Sequence, residues 1–241
     1  MESPSKVLTT FPEVFVSTII FVIIALSIGS YVRTNGQFQY APTLSKFNSR
    51  FYGFVSLFLL LSSLLSLPGL VDKFPYCASR WLDLSHSLGF QDVSDFARYA
   101  YHFSKFYEYL DIFNVLASGG SINFHFGFHH LTTPYFTLVR VVPASPASDG
   151  WQLFAALNTF HHILLCTYFG GGTFIRDVLP WTGYGQLLLG IAGEFWCGWK
   201  NWNNEEAWRN AFAGGILVCY LVQYRRMRQR AEGAGGEVKG D

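Results

Sequence analysis

From Val14 to Val32 the chain runs 19 residues without a charged side chain. A helix of that length rises about 30 Å, the thickness of the hydrocarbon core of a bilayer. In hydrocarbon every backbone N–H and C=O must be satisfied inside the protein, which leaves the helix as the only spanning form for a single segment. The run exceeds a signal-peptide core of about 7–15 residues, and no positive n-region precedes it. It is therefore expected to be a retained span. Composition agrees. Half of the 241 residues are hydrophobic and only 14% are charged, against about a quarter charged in soluble domains. These values argue against disorder, a fibrous repeat and a water-soluble enzyme. A net charge of +1 provides no global field for nucleic acid.

Six further spans complete an all-α, polytopic reading of about seven transmembrane helices. They are expected at Phe51–Val71, Phe103–Leu116, Ile122–Val142, Trp151–Gly170, Trp181–Trp199 and Trp208–Tyr224. Spans three and four are weakly hydropathic and are accepted because polar residues inside a bundle mark function. Lys and Arg sort by side, as the positive-inside rule requires. One side carries Arg33, Lys46, Arg50, Arg176 and the dense run Arg225, Arg226, Arg228 and Arg230. The other carries Lys6 and a long loop with Lys73, Arg80 and Arg98. The C-terminus is thus expected in the cytosol and the N-terminus outside or in a lumen. Residues 1–230 read as one membrane domain and 231–241 as a short disordered tail. Cys77, Cys166, Cys197 and Cys219 form no CxxC pair, so a disulfide framework or zinc site is not expected.

Five of the seven histidines fall in two apolar spans. His125, His129 and His130 lie in FHFGFHHLTTP, and His161 and His162 in LNTFHHILLCTYFG. At about 100° per residue, His125 and His129 share a helix face with His130 one step round. Asn158, His162 and Cys166 share another face by their spacing of four. Lys105, Glu108 and Asp111 fall within an arc of about 120° on the third span. Three helices each offer a polar stripe, and the least costly arrangement turns all three toward one wet interior. His86 and His102, in or near the long loop, read as ordinary surface residues, and Cys166 as packing.

Two chemistries suit such an interior. The spacing His125-x-x-x-His129-His130 is similar to the first His box of membrane di-iron desaturases. That chemistry needs about eight His ligands, and the chain is short of them. The other is a neutral imidazole acting as base or nucleophile. Imidazole attacks a thioester and leaves again readily, which splits a hard acyl transfer into two easier steps. Burial disfavours the charged form, so the nucleophilic neutral ring stays available.

The ordered set of motifs resembles the ELO-type fatty-acid elongases, the condensing enzymes of very-long-chain fatty acid synthesis. The family's KxxExxDT is matched by Lys105, Glu108 and Asp111, with Ile112 in place of the Thr. Its HxxHH is matched by His129 and His130, with Phe126 in the first position and His125 one residue earlier. Its Asn followed by HxxMYxYY is matched by Asn158, His162 and Tyr168, with Leu165 and Cys166 replacing the Met-Tyr pair. Its TxxQxxQ is poorly kept, with Thr182 and Gln186 at a different spacing. The resemblance covers about Phe51 to Arg230.

The resemblance implies a ring of six helices around a long substrate chamber in the endoplasmic reticulum membrane. It implies a 3-oxoacyl-CoA synthase that takes an acyl group onto a histidine and then condenses it with malonyl-CoA. His129 and His162 would carry acyl transfer and carbonyl activation, with His130 in support. Lys105, Glu108 and Asp111 would shape the polar end of the chamber, Asn158 would orient His162, and His125 and Tyr168 would line the substrate site. Acyl-CoA and malonyl-CoA are the implied substrates, with the bilayer and other enzymes of the elongation cycle as partners. No metal or redox cofactor is implied. The departures at Phe126, Ile112 and Leu165-Cys166 leave one alternative open, an inactive family member that binds lipid or a membrane partner. A small seven-span transporter would show a three-plus-three repeat, and none is visible.

Overall fold

The computed structural model describes residues 7–67, 73–143 and 150–236, with side chains to residue 229. Among the described residues the regular structure is helical, with no strand. The helices are α1 (Phe11–Asn35), α2 (Ala41–Leu65), α3 (Pro75–Ser87), α4 (Val93–Tyr107), α5 (Tyr109–Ala117), α6 (Phe124–Arg140), α7 (Trp151–Phe169), α8 (Leu179–Lys200) and α9 (Trp208–Gly236).

Local chemistry sets several of the boundaries. Thr10 precedes α1, and its hydroxyl and backbone N–H both donate to Glu13, at 2.8 and 3.0 Å. This ties the first turn down. Gly36, at φ +83°, ends the helix in a conformation that only glycine adopts freely. Asp92 caps α4 by accepting from the Asp95 N–H at 2.7 Å. Asn123 caps α6 by accepting from the Phe126 N–H at 2.8 Å.

Six walls close a ring. α2 packs on α7, α7 on α8, α8 on α9, α9 on α6, α6 on α4, and α4 returns to α2. The α2–α7 pairing is the most extensive, and Gly53 permits it: a Cβ there would stand 3.3 Å from that of Cys166. α1 lies outside the ring against α5 and α6 and buries little beyond Val14 and Phe21. A helix apolar all round and left uncovered by protein is suited to lipid.

Neighbouring walls run in alternating directions. At one end the Phe38 N–H meets the Ala117 carbonyl at 3.0 Å, and Arg50 donates to the Gly170 carbonyl at 3.1 Å. At the other end Arg98 reaches the Val141 carbonyl at 2.8 Å, and Arg209 the Val139 carbonyl at 3.1 Å. The residues thus sort to the same two ends as the Lys/Arg distribution does.

Several boundaries differ from the sequence reading. The third span is longer than Phe103–Leu116 and is built as two helices, α4 and α5, joined at Glu108. The loop before it contains α3, and Asp92 starts α4 ten residues ahead of the apolar run. α2 stops at Leu65, and residues 68–72, which include the expected end at Val71, lie outside the described residues. α9 continues as helix through the first six residues of the expected tail, to Gly236, and 237–241 lie outside the described residues. By length and hydropathy alone only α1 and α2 qualify as spans among the described residues. α7, α8 and α9 fall short as well as the two weak spans, because they carry groups such as Asn158, His162, Glu194 and Asn210. His102 is not a surface residue. It is fully buried, with Nδ1 at 2.7 Å from the Thr137 hydroxyl and Nε2 at 2.6 Å from the Leu8 carbonyl. It sits on the face of α4 that packs against α6 and the segment before α1, a helix that starts ten residues ahead of the expected span. His86 is exposed on α3.

Candidate active site

Glu108 occupies the break between α4 and α5. Its N–H still bonds back to the Ser104 carbonyl at 3.0 Å, and its own carbonyl accepts from the Asp111 N–H at 3.1 Å. The side chain points into the ring and is 0% exposed. Its Oε1 accepts from the Tyr52 hydroxyl at 2.6 Å and from Lys105 Nζ at 2.6 Å. His162 Nε2 stands 3.6 Å from the same oxygen. An unpaired charge at this depth would cost several kcal/mol. The contacts therefore come as a set.

Lys105 is equally enclosed. Nζ also donates to Asn158 Oδ1 at 2.8 Å and lies 4.5 Å above the Tyr101 ring. Asn158 Oδ1 accepts a second bond from the Tyr101 hydroxyl at 2.9 Å, and its Nδ2 donates to Gln186 Oε1 at 3.2 Å. One connected network thus links α2, α4, α7 and α8.

His129 comes from α6 to the same point. Ligating atoms of Glu108, His129 and His162 all lie within 4.8 Å of one another. The His129 ring packs on Tyr220 of α9 at 4.8 Å and on His130 at 5.4 Å. A narrow pocket opens beside it, with room for about one water molecule. Its polar rim is formed by Lys105, His129 and Asn158, and its apolar wall by Phe136, Phe154 and Leu217.

The structure gathers most, not all, of the residues singled out in the sequence. Lys105, Glu108, His129, Asn158 and His162 meet. His130 is buried next to them under the edge of Phe126, with ring centroids 4.4 Å apart. Asp111 turns instead to Asn48, whose Nδ2 donates to it at 3.2 Å. His125 packs toward α9, 5.6 Å from the Tyr224 ring. Tyr168 packs on Phe169, about 9 Å of helix rise beyond His162. His161 points away to the Thr182 hydroxyl at 2.8 Å.

Sequence reasoning passed over Tyr52, Tyr101, Tyr220 and the work of Gln186. A faint signal existed for Tyr52: Ser56, Leu59 and Ser63 follow it on one helical face, and all four are buried. Thr182 and Gln186 are one turn apart on α8, so their altered spacing still presents both to α7.

The model of the GNS1/SUR4 (ELO) family matches residues 6–223. The chain belongs to that family. No curated protein and no solved structure matches it. Membership makes this a polytopic membrane protein of fatty acid elongation and places it in lipid biosynthesis. In this GNS1/SUR4 member six helices close the ring. Lys105, Glu108, Arg140 and Glu194 are buried within it, where protein and not lipid surrounds them.

Proposed function

We propose that this GNS1/SUR4 member is a 3-oxoacyl-CoA synthase that works through a histidine-bound acyl intermediate. The observation that carries the reading is the convergence of His129 and His162, from two different helices, on the buried Glu108 carboxylate. A ring nitrogen of one histidine attacks the thioester carbonyl carbon of an acyl-CoA. The C–S bond breaks, CoA leaves as thiolate, and the acyl group rests on nitrogen. The positive charge that develops on the imidazole is stabilised by Glu108, which already faces His162 at 3.6 Å. Malonyl-CoA then loses carbon dioxide, and the electrons of the broken C–C bond form an enolate. Its carbon attacks the acyl carbonyl, the N–C bond breaks, and 3-oxoacyl-CoA leaves with the imidazole restored.

Lys105 supplies a positive charge for the thioester and malonyl oxygens, held in place by Glu108 and Asn158. The apolar wall of Phe136, Phe154, Leu187 and Leu217 suits the first part of an alkyl chain. The pocket is narrow, so the chain enters only as these side chains part. We place the protein in the endoplasmic reticulum membrane, its N-terminus lumenal and its C-terminus cytosolic, where the basic run after Tyr224 meets the positive-inside rule.

The test is intact-mass spectrometry of detergent-purified protein mixed with long-chain acyl-CoA in the absence of malonyl-CoA. One acyl mass should be gained, and lost in His129→Ala or His162→Ala. No adduct across a panel of chain lengths would sink the mechanism and favour a lipid-binding member without the reaction.

A further inference from the structure

Glu108 has one oxygen too many for its partners. Tyr52 and Lys105 both bind Oε1, while Oε2 is buried with no hydrogen-bond partner. An orphaned carboxylate oxygen in a buried site is costly. The same carboxylate belongs to a group in which one of its oxygens and a ring nitrogen from each of two imidazoles lie within 4.8 Å of one another. Two nitrogens and one oxygen, with a fourth position open, form a common ligand set for zinc. Bonds of about 2.1 Å in tetrahedral geometry put ligand atoms roughly 3.4 Å apart. Small side-chain rotations close the difference.

The surroundings fit as well. A ligating carboxylate is ordinarily held by hydrogen bonds on its other oxygen. Tyr52 and Lys105 hold Oε1 here, and a turn of the carboxylate would bring the unpartnered Oε2 to the histidines. Among the described residues Lys105 is the cation bonded to this carboxylate, and it sits against Oε1 with a second bond directed to Asn158.

We propose that Glu108, His129 and His162 form a site for a divalent cation of the zinc type, and that its occupation excludes acyl uptake. The exclusion rests on the histidine-acyl reading above; the binding does not. A metal-bound imidazole nitrogen has no lone pair left to attack a thioester, so the same ligands serve one state or the other. Zinc would act as a reversible inhibitor rather than as a cofactor.

The experiment uses full-length protein purified without a polyhistidine tag, stripped with chelator, incubated with zinc chloride, desalted and analysed for metal. Roughly one zinc per chain is expected in the parent and in His86→Ala, which is remote from the site. Less than about a tenth of that is expected in His129→Ala, His162→Ala and Glu108→Gln. Size-exclusion and thermal-unfolding profiles identify any variant that fails to fold. Tyr52→Phe, which keeps all three ligands, should then weaken binding by about tenfold. The idea is overturned if the parent holds no zinc, or if the ligand variants hold as much as the parent. In parallel, acyl adduct formation should fall at least tenfold with zinc and return with chelator. Adduct formation unaffected by a full complement of zinc overturns the exclusion. If no adduct forms even without zinc, the condensation reading fails while the metal stoichiometry still decides the site.

Discussion

Tyr52 and Glu108, 56 positions apart in sequence, are joined by a 2.6 Å hydrogen bond in which the phenol donates to the carboxylate. The bond fastens the middle of α2 to the joint between α4 and α5. The Tyr52 and His162 rings also meet nearly at right angles, with centroids 5.7 Å apart. A hydrogen bond to a charged group contributes about 1.5–3 kcal/mol. Tyr52→Phe keeps the ring and removes only the donor. Thermal unfolding in detergent should show a loss of stability within that range. Acyl adduct formation should slow, because Glu108 is then free to rotate on Lys105 alone. Unchanged stability would mean that the phenol is not bonded to the carboxylate.

Lys105 and Glu108 form a buried pair one helical turn apart, with Nζ and Oε1 separated by 2.6 Å. Removing one member of such a pair strands the other and costs about 3–5 kcal/mol. Lys105→Met is expected to be destabilised to that degree. Lys105→Met combined with Glu108→Gln should recover a large part of the loss, since no buried charge remains. The double-mutant cycle measures this directly. Strict additivity of the two single losses would contradict the pairing. Neither variant should form an acyl adduct at a rate near that of the parent, because both lose the charge that faces the substrate.

The sequence made some of this arrangement legible and hid the rest, for physical reasons. Helical spacing alone turned Lys105 and Glu108 to one face and Asn158 and His162 to another, because 3.6-residue periodicity is a local property. Apolar runs located α1 and the later part of α2 for the same reason, while α2 starts at Ala41, ten residues ahead of the expected Phe51. The two-helix build of the third span was hidden, since the break at Glu108 is held by Tyr52 on α2, a contact no local pattern reveals. Asp111 shares the arc of Lys105, yet the joint at Glu108 turns it to Asn48. His102 looked superficial because the start of α4 depends on the Asp92 cap and not on apolarity. Its true partners, Leu8 and Thr137, are 94 and 35 positions away. The TxxQxxQ motif is altered in spacing, yet Thr182 and Gln186, four apart, still share one helix face toward His161 and Asn158.

Phe126 stands where the family carries the first histidine of its box. Its ring packs against the cluster of Phe21, Tyr109 and Ile112, and it meets the His130 ring at a steep angle with centroids 4.4 Å apart. A histidine placed there would set ring nitrogens in an apolar environment, at about 1–3 kcal/mol. Phe126→His is therefore expected to lower thermal stability without raising the rate of acyl adduct formation by more than about twofold. That ceiling follows from its orientation, since the ring lies among α1 and α5 side chains. A tenfold faster adduct would show that the family's histidine is missed and that the ring of position 126 can reach the site.

A second buried pair lies toward the opposite end of the ring and offers a control on stability without chemistry. Arg140 Nε on α6 contacts both oxygens of Glu194 on α8, at 2.7 and 2.8 Å, and Asn210 of α9 donates to Glu194 at 2.8 Å. Three walls are thereby fastened to one carboxylate. Arg140 is about 16 Å of helix rise from His129. Glu194→Leu alone leaves a buried guanidinium and should cost about 3–5 kcal/mol. Arg140→Met with Glu194→Leu removes both charges and keeps the volume, and such replacements are commonly neutral or stabilising. The double variant should unfold near the parent temperature and form acyl adduct at a rate within about twofold of the parent, since nothing near Glu108 has changed. A double variant as unstable as the single one would show that the bonds from Asn210 and Arg140, rather than charge compensation, hold α6, α8 and α9 together. A stable double variant that no longer forms adduct would show that this end of the ring positions His129 through α6.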